Sequence, residues 1–174
     1  MEAEKKKNYV ARISQANRSQ LTVVIFDIII DEITCAVEIW ESCKNVIPGQ
    51  KRKDMPKEDL RQYEDSLKMA RNFTGELIES LNLKYQTARE LRPIYVFVNR
   101  EIIYALLSGN AEKLAEVADI MRKLRDSFEE ISHQDFSEPL MENTQKIYAG
   151  LTYGKGQLNE ISVDVNQASR GFKV

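Results

Sequence analysis

Only one side chain in this sequence titrates near neutral pH, His133, so any acid–base chemistry there would fall to it. It stands in Ser132-His133-Gln134-Asp135, just past the end of an apolar-periodic segment. A phosphoacceptor histidine of a helical phosphotransfer module sits mid-helix, on an exposed face, among small or basic neighbours. His133 has none of that setting and reads as a loop residue. No other imidazole can serve a Ser/His/Asp set. Cys35 and Cys43 are the only thiols. They lie eight residues apart in one apolar-periodic run, which in a helix is ~12 Å, too far for a disulfide. They read as buried thiols of a reducing compartment. No Cys/His spacing suits a metal, and no Glu-x-x-His pair suggests a di-iron site. Gly154-Lys155-Gly156 does not follow a strand and open a helix, as a phosphate-cradling loop must. The expectation is a protein that is not an enzyme, with no catalytic residue, no cofactor and no metal.

Charge excludes further classes. Formal net charge is −2, so there is no global attraction to nucleic acid or anionic lipid. Lys5-Lys6-Lys7 and Lys51-Arg52-Lys53 are local basic runs without interleaved aromatics, and read as solvated terminus and loop. The longest apolar run, Val23 to Ile30, is broken by Asp27 and is far short of a membrane span. Met-Glu-Ala-Glu-Lys-Lys-Lys at the start lacks the apolar run of a signal peptide. No nucleic acid, no membrane insertion and a cytoplasmic location are expected. At 174 residues, 43% of them apolar, the chain is long enough to bury a real core.

The elements that must carry function are helices. Residues 1–16 read as a polar arm with two apolar points, Tyr9 and Ile13, at i,i+4 spacing. Asn17 is a good N-cap and Gln20 stands at the capping-box position. A first long helix is expected from about Arg18 to about Asn45, ending before Pro48-Gly49. It has more apolar residues than one buried face needs. One stripe reads Leu21, Ile25, Ile28, Cys35, Ile39, Cys43, and another Val23, Phe26, Ile30, Ile33, Val37, Trp40. Polar Asp27, Asp31, Thr34, Glu38 and Glu41 are confined to a narrow third stripe. Such a helix is either central or reserves surface for a partner.

A second helix is expected over about Lys57 to Asn82, with Leu60, Tyr63, Leu67, Ala70, Phe73, Leu77 and Leu81 as its stripe. Thr87-Ala88-Arg89-Glu90 has the capping-box form, but Pro93 follows. The third helix therefore begins near Arg92 or is kinked there. It ends at Gly109, a natural C′ residue. Asn110 should cap a fourth helix, whose face is Leu114, Val117, Met121, Leu124, Phe128 and Ile131. The short connection makes the third and fourth helices antiparallel. The fold class expected is all-α, an antiparallel up-and-down four-helix bundle over residues 17–131. An N-terminal arm (1–16) and a C-terminal extension (132–174) flank it. The extension has a short helix from Ser137 to about Ala149, then a Gly-interrupted tail.

Three segments together resemble the flagellar secretion chaperone family FliS, over about Tyr9 to Ile131. Ala16, Asn17, Leu21 and Ile25-Phe26-Asp27 stand where that family places its helix-opening motif. Glu90-Leu91, Ile94-Tyr95 and Val98, then Gly109-Asn110, occupy its third-helix positions. Leu124-Arg125-Asp126-Ser127-Phe128 matches a Leu-Arg-Asp-x-Trp ending, with Phe for Trp. Arg18 replaces a usual Pro, Phe26 replaces a Tyr, Pro93 is unexpected, and the tail after Ile131 is longer than usual.

The resemblance implies a chaperone of the bacterial cytosol. It would bind the C-terminal segment of flagellin, prevent premature polymerisation and deliver it to the flagellar export apparatus. An alternative is an interaction protein on the same scaffold for another export substrate or a flagellar regulator. Flagellin termini form amphipathic helices that pair only in the filament, and spare apolar stripes can hold them beforehand. The expected contacts are Val23, Phe26 and Ile30 on the first long helix and Val96, Ile103 and Leu107 on the third. All lie off the most regular core stripes. Tyr9 and Ile13 are expected as a removable lid. Leu158, Ile161, Val163, Val165 and Phe172 suggest a tail that folds back on the groove or onto a second copy, which leaves a homodimer open.

Overall fold

In the computed structural model of the chain, residues 3–46 and 55–141 are described. They contain five helices and no strand: α1 (Ala3–Gln15), α2 (Arg18–Val46), α3 (Lys57–Ser80), α4 (Gln86–Ser108) and α5 (Leu114–Ser132). The first differs from expectation. Residues 3–15, read as a polar arm outside the four expected helices, form a helix, with Glu4 in its first turn and Arg12 in its last, each on the side the helix dipole favours.

The surplus of apolar residues on α2 is explained by its neighbours. It packs against α3 and α5, and α1 lies along it as well. The stripe facing the main core is Phe26, Ile29, Ile33 and Ala36. A second set, Val24 and Ile28, is covered by Tyr9, with Ile13 and Phe73 at its edge. Ile29 and Ala36 belong to neither stripe drawn from periodicity. A helix buried on several sides has no single periodic face to read.

Local signals place the ends of α2 and α4. Asn17 and Gln20 form the capping box: the Gln20 amide donates to Asn17 Oδ1 at 2.9 Å, and the Asn17 amide to Gln20 Oε1 at 3.1 Å. Gly109 closes α4 in the left-handed region (φ 70°), and its amide donates to the Ala105 carbonyl at 2.9 Å.

Other boundaries are corrected. The third predicted helix, α4, begins at Gln86 and runs through Pro93. The Thr87–Glu90 capping box does not form; Gln86 Nε2 donates to Glu90 Oε1 instead, at 2.8 Å. Pro93 has no N–H for the Arg89 carbonyl. Both residues are exposed, so water can take that oxygen. Asn110 does not cap a helix. Its Oδ1 accepts the Glu112 amide at 2.9 Å in a turn, and α5 starts at Leu114.

The α3 stripe is as expected: Tyr63, Leu67, Ala70 and Leu77 are buried, and Tyr63 donates its hydroxyl to the Ala105 carbonyl of α4 at 3.1 Å. Ile131, read as part of the α5 face, is exposed. Cys43 is buried as expected, but Cys35 is only half-buried, and both are free thiols. Residues 137–141 are not helical, so the short helix does not start at Ser137. The rest of that segment, Pro48-Gly49, the 51–53 basic run and the 150–174 tail lie outside the described residues.

Candidate partner-binding surfaces

Apolar groups outside the main core lie at two places, one exposed on α4 and one buried beneath α1. On α4, Tyr95, Val98, Ile102 and Ala105 turn inward and are buried. On the other side, Val96 is 45% exposed, Tyr104 55% and Leu107 74%, with Phe97 beside them at 36%. Ile103 is half-buried at the edge of this ridge. The spacing of 96, 100, 103/104 and 107 keeps these residues on one face over three turns. Arg100 lies in the middle, its guanidinium 5.2 Å from the Phe97 ring centroid and 2.9 Å from Glu101 Oε1.

The second surface is covered by α1. Tyr9 is buried over Val24 and Ile28 and donates its hydroxyl to Asp31 Oδ2 at 2.9 Å. Lys5 Nζ lies 3.5 Å from the same oxygen. Burial, the Asp31 hydrogen bond and the charges of Asp31 and Asp27 push the Tyr9 phenol well above its ordinary range, although Arg12 pulls the other way. The polar stripe of α2 is thus the seam to which α1 is pinned. It also holds α5. Asp27 accepts from Arg12 Nη2 of α1 at 2.5 Å and from Arg125 Nε of α5 at 3.0 Å. Arg125 continues to Asp126 at 3.3 Å and to both carboxylate oxygens of Glu129. Arg122 Nη2 meets Thr34 Oγ1 at 3.3 Å on the same seam.

Asp27 closes the first sequence motif and Arg125 is the basic residue of the last, 98 positions away. The two motifs therefore meet in space. A family model described as the flagellar protein FliS matches residues 1–135. The chain belongs to the FliS family. Comparison with curated proteins returns no match. FliS is a family of flagellar export chaperones, and the helical architecture of this member suits that role.

Within this FliS chain, the eight expected contact residues divide. Phe26 is fully buried, against Phe128 (ring centroids 5.1 Å apart) and Tyr95 (6.2 Å). It is a core residue, and its place as a contact is corrected. With no hydroxyl it leaves no donor to satisfy in that buried position. Val23 is buried as well and offers no surface. Ile30 is half-buried against the main core. Tyr9 and Ile13 sit together on the face of α1 that packs on Val24 and Ile28, and Val96, Ile103 and Leu107 sit together on α4.

Phe97 and Tyr104 were missed, although α4 has apolar residues at 96, 97, 103, 104 and 107 beyond those one buried face needs. Among the described residues, no group of His, Cys, Asp or Glu could hold a metal ion, and no helix is long and apolar enough to cross a membrane. His133 is exposed at the end of α5. Burial first, then Asp59, raises the Cys43 thiol above its ordinary value, which disfavours its thiolate.

Proposed function

We propose that this FliS-family chain is a cytoplasmic chaperone that holds the C-terminal segment of flagellin, keeps it from polymerising and presents it to the export apparatus. In this reading α2 to α5 are an antiparallel up-and-down four-helix bundle and α1 is a lid. The observation that carries it is the exposed ridge of Val96, Phe97, Tyr104 and Leu107 on α4. Because these four side chains are already partly covered, burying the rest of each contributes only about half of the roughly 1.5–3 kcal/mol that full burial would give, before the costs of ordering the segment and of association. Micromolar binding needs about 8 kcal/mol, so the ridge supplies only part of it, and the partner must also cover Ile103 and the surface under α1.

Leu107→Asp and Val96→Asp test the reading in the full chain, because neither side chain is needed by the core. Each should weaken binding of a flagellin C-terminal segment at least about tenfold by calorimetry, with melting unchanged. Full affinity in both variants would move the site off α4. A wild-type chain that fails to bind the segment would favour another export substrate or a flagellar regulator. Sedimentation of the same variants reads any homodimer built on the ridge.

A further inference from the structure

After α5 the chain turns back to the joint between α1 and α2. That joint is two residues long, Ala16 and Asn17, and both are buried. Residues 135–141, which are not helical, are bonded across it. The Asp135 carbonyl accepts from Asn17 Nδ2 at 2.8 Å, and the Ser137 carbonyl lies 3.5 Å from the same nitrogen. The Asp135 carboxylate accepts from Ser19 Oγ at 2.5 Å and from the Ser137 amide at 3.1 Å. The Leu140 amide donates to the Ala16 carbonyl at 3.0 Å.

These bonds fall on groups that a helix pair leaves open. The Ala16 carbonyl lies just past the end of α1, where carbonyls lack intrahelical partners. Asp135 places a negative charge at the first turn of α2, where the dipole favours it. Asn17 serves both sides at once, its Oδ1 capping α2 and its Nδ2 holding the returning chain. The joint sets where α1 lies, and it adds to the polar pairs Tyr9–Asp31, Lys5–Asp31 and Arg12–Asp27 that pin α1 to α2. This helix is 13 residues long, short for a helix to persist alone, and its buried apolar contacts are Tyr9 and part of Ile13.

We propose that residues 135–140 are a strap on α1: by bonding across the Ala16–Asn17 joint they hold α1 down over Val24, Ile28 and Phe73. All but its first residue lies beyond the region that matches the FliS family. The strap couples the C-terminal part of the chain to the exposure of that apolar surface. Its consequence for flagellin rests on the lid reading above; the strap itself does not.

Hydrogen exchange on the full chain tests it. Asp135→Ala combined with Leu140→Pro removes the carboxylate and the amide donor and leaves the core untouched. Exchange in α1 should accelerate about tenfold or more, with α3, α4 and α5 unchanged. Unchanged exchange in α1, or equal acceleration in all helices, would overturn the strap. Ser19→Ala guards against a folding defect in the double variant. It deletes one hydrogen bond, and a several-fold rise confined to α1 supports the proposal while no rise refutes it. Flagellin-segment affinity is read in parallel. If α1 is released and affinity does not change, the lid reading fails and the strap stands.

Discussion

Asp27 is the residue on which most of the polar architecture converges. It joins α1 through Arg12 and α5 through Arg125, and its side chain is only 18% exposed. Replacing it with Asn keeps the shape and removes the charge that two guanidinium groups need. Asp27→Asn should destabilise the fold by about 2 kcal/mol in urea unfolding, and combining it with Arg125→Met should cost less than the two changes added. A loss below about 0.5 kcal/mol would mean that solvent satisfies both arginines. Tyr9 makes a second prediction, with a definite sign. Its phenol is held neutral in the docked state, above its ordinary value. The stability it contributes is therefore complete below that value and is lost as pH rises past it. The stability gap between wild type and Tyr9→Phe should narrow as pH rises from about 9 to about 11. A gap independent of pH would remove the Asp31 hydrogen bond from this account. Tyr95, pushed up to about 12 by burial, adds the same alkaline decline to both proteins and cancels in the comparison.

At the scale of the element, α4 is under the most tension between local signal and packing. Its capping-box sequence is unused, and Pro93 interrupts its hydrogen bonds in the interior. The inward face overrides both, because Ala88, Tyr95, Val98, Ile102 and Ala105 are buried and a break at Arg92 would detach Ala88. Pro93→Ala restores the missing donor and should raise stability by about 1–2 kcal/mol, after the loss of the rigidity that Pro gives the unfolded chain. No gain would show that the backbone there has already relaxed around the ring. The behaviour of α1 is the converse. Its composition is polar and its two apolar points are modest, but Asp27 and Asp31 supply polar partners along α2, so a stretch that reads as an arm becomes a helix.

For the whole molecule, the main core includes no residue of α1; all its members come from α2 to α5 and the turn before α5. Deleting residues 1–14 should therefore leave the melting of the remaining helices within a few degrees while changing affinity for the flagellin segment. A collapse of stability without a change in binding would make α1 a fixed cap. What the sequence by itself determined were the features that arise within a turn or two of chain. These are the helical class, the stripe of α3, the Asn17–Gln20 box, the Gly109 terminus and the three motifs that carry the family. Each depends on contacts between residues three or four apart, so spacing alone reports them. Tertiary structure alone decided which stripe of α2 is core, that Phe26 is buried and Leu107 exposed, and that α4 continues through Pro93. It also brought Asp27 to Arg125, and Asp135 to Ser19 across 116 positions. Periodicity shows how much apolar surface a helix carries, but not which neighbour covers which side. That depends on the packing of helices far apart in sequence, each of which could bury more than one face.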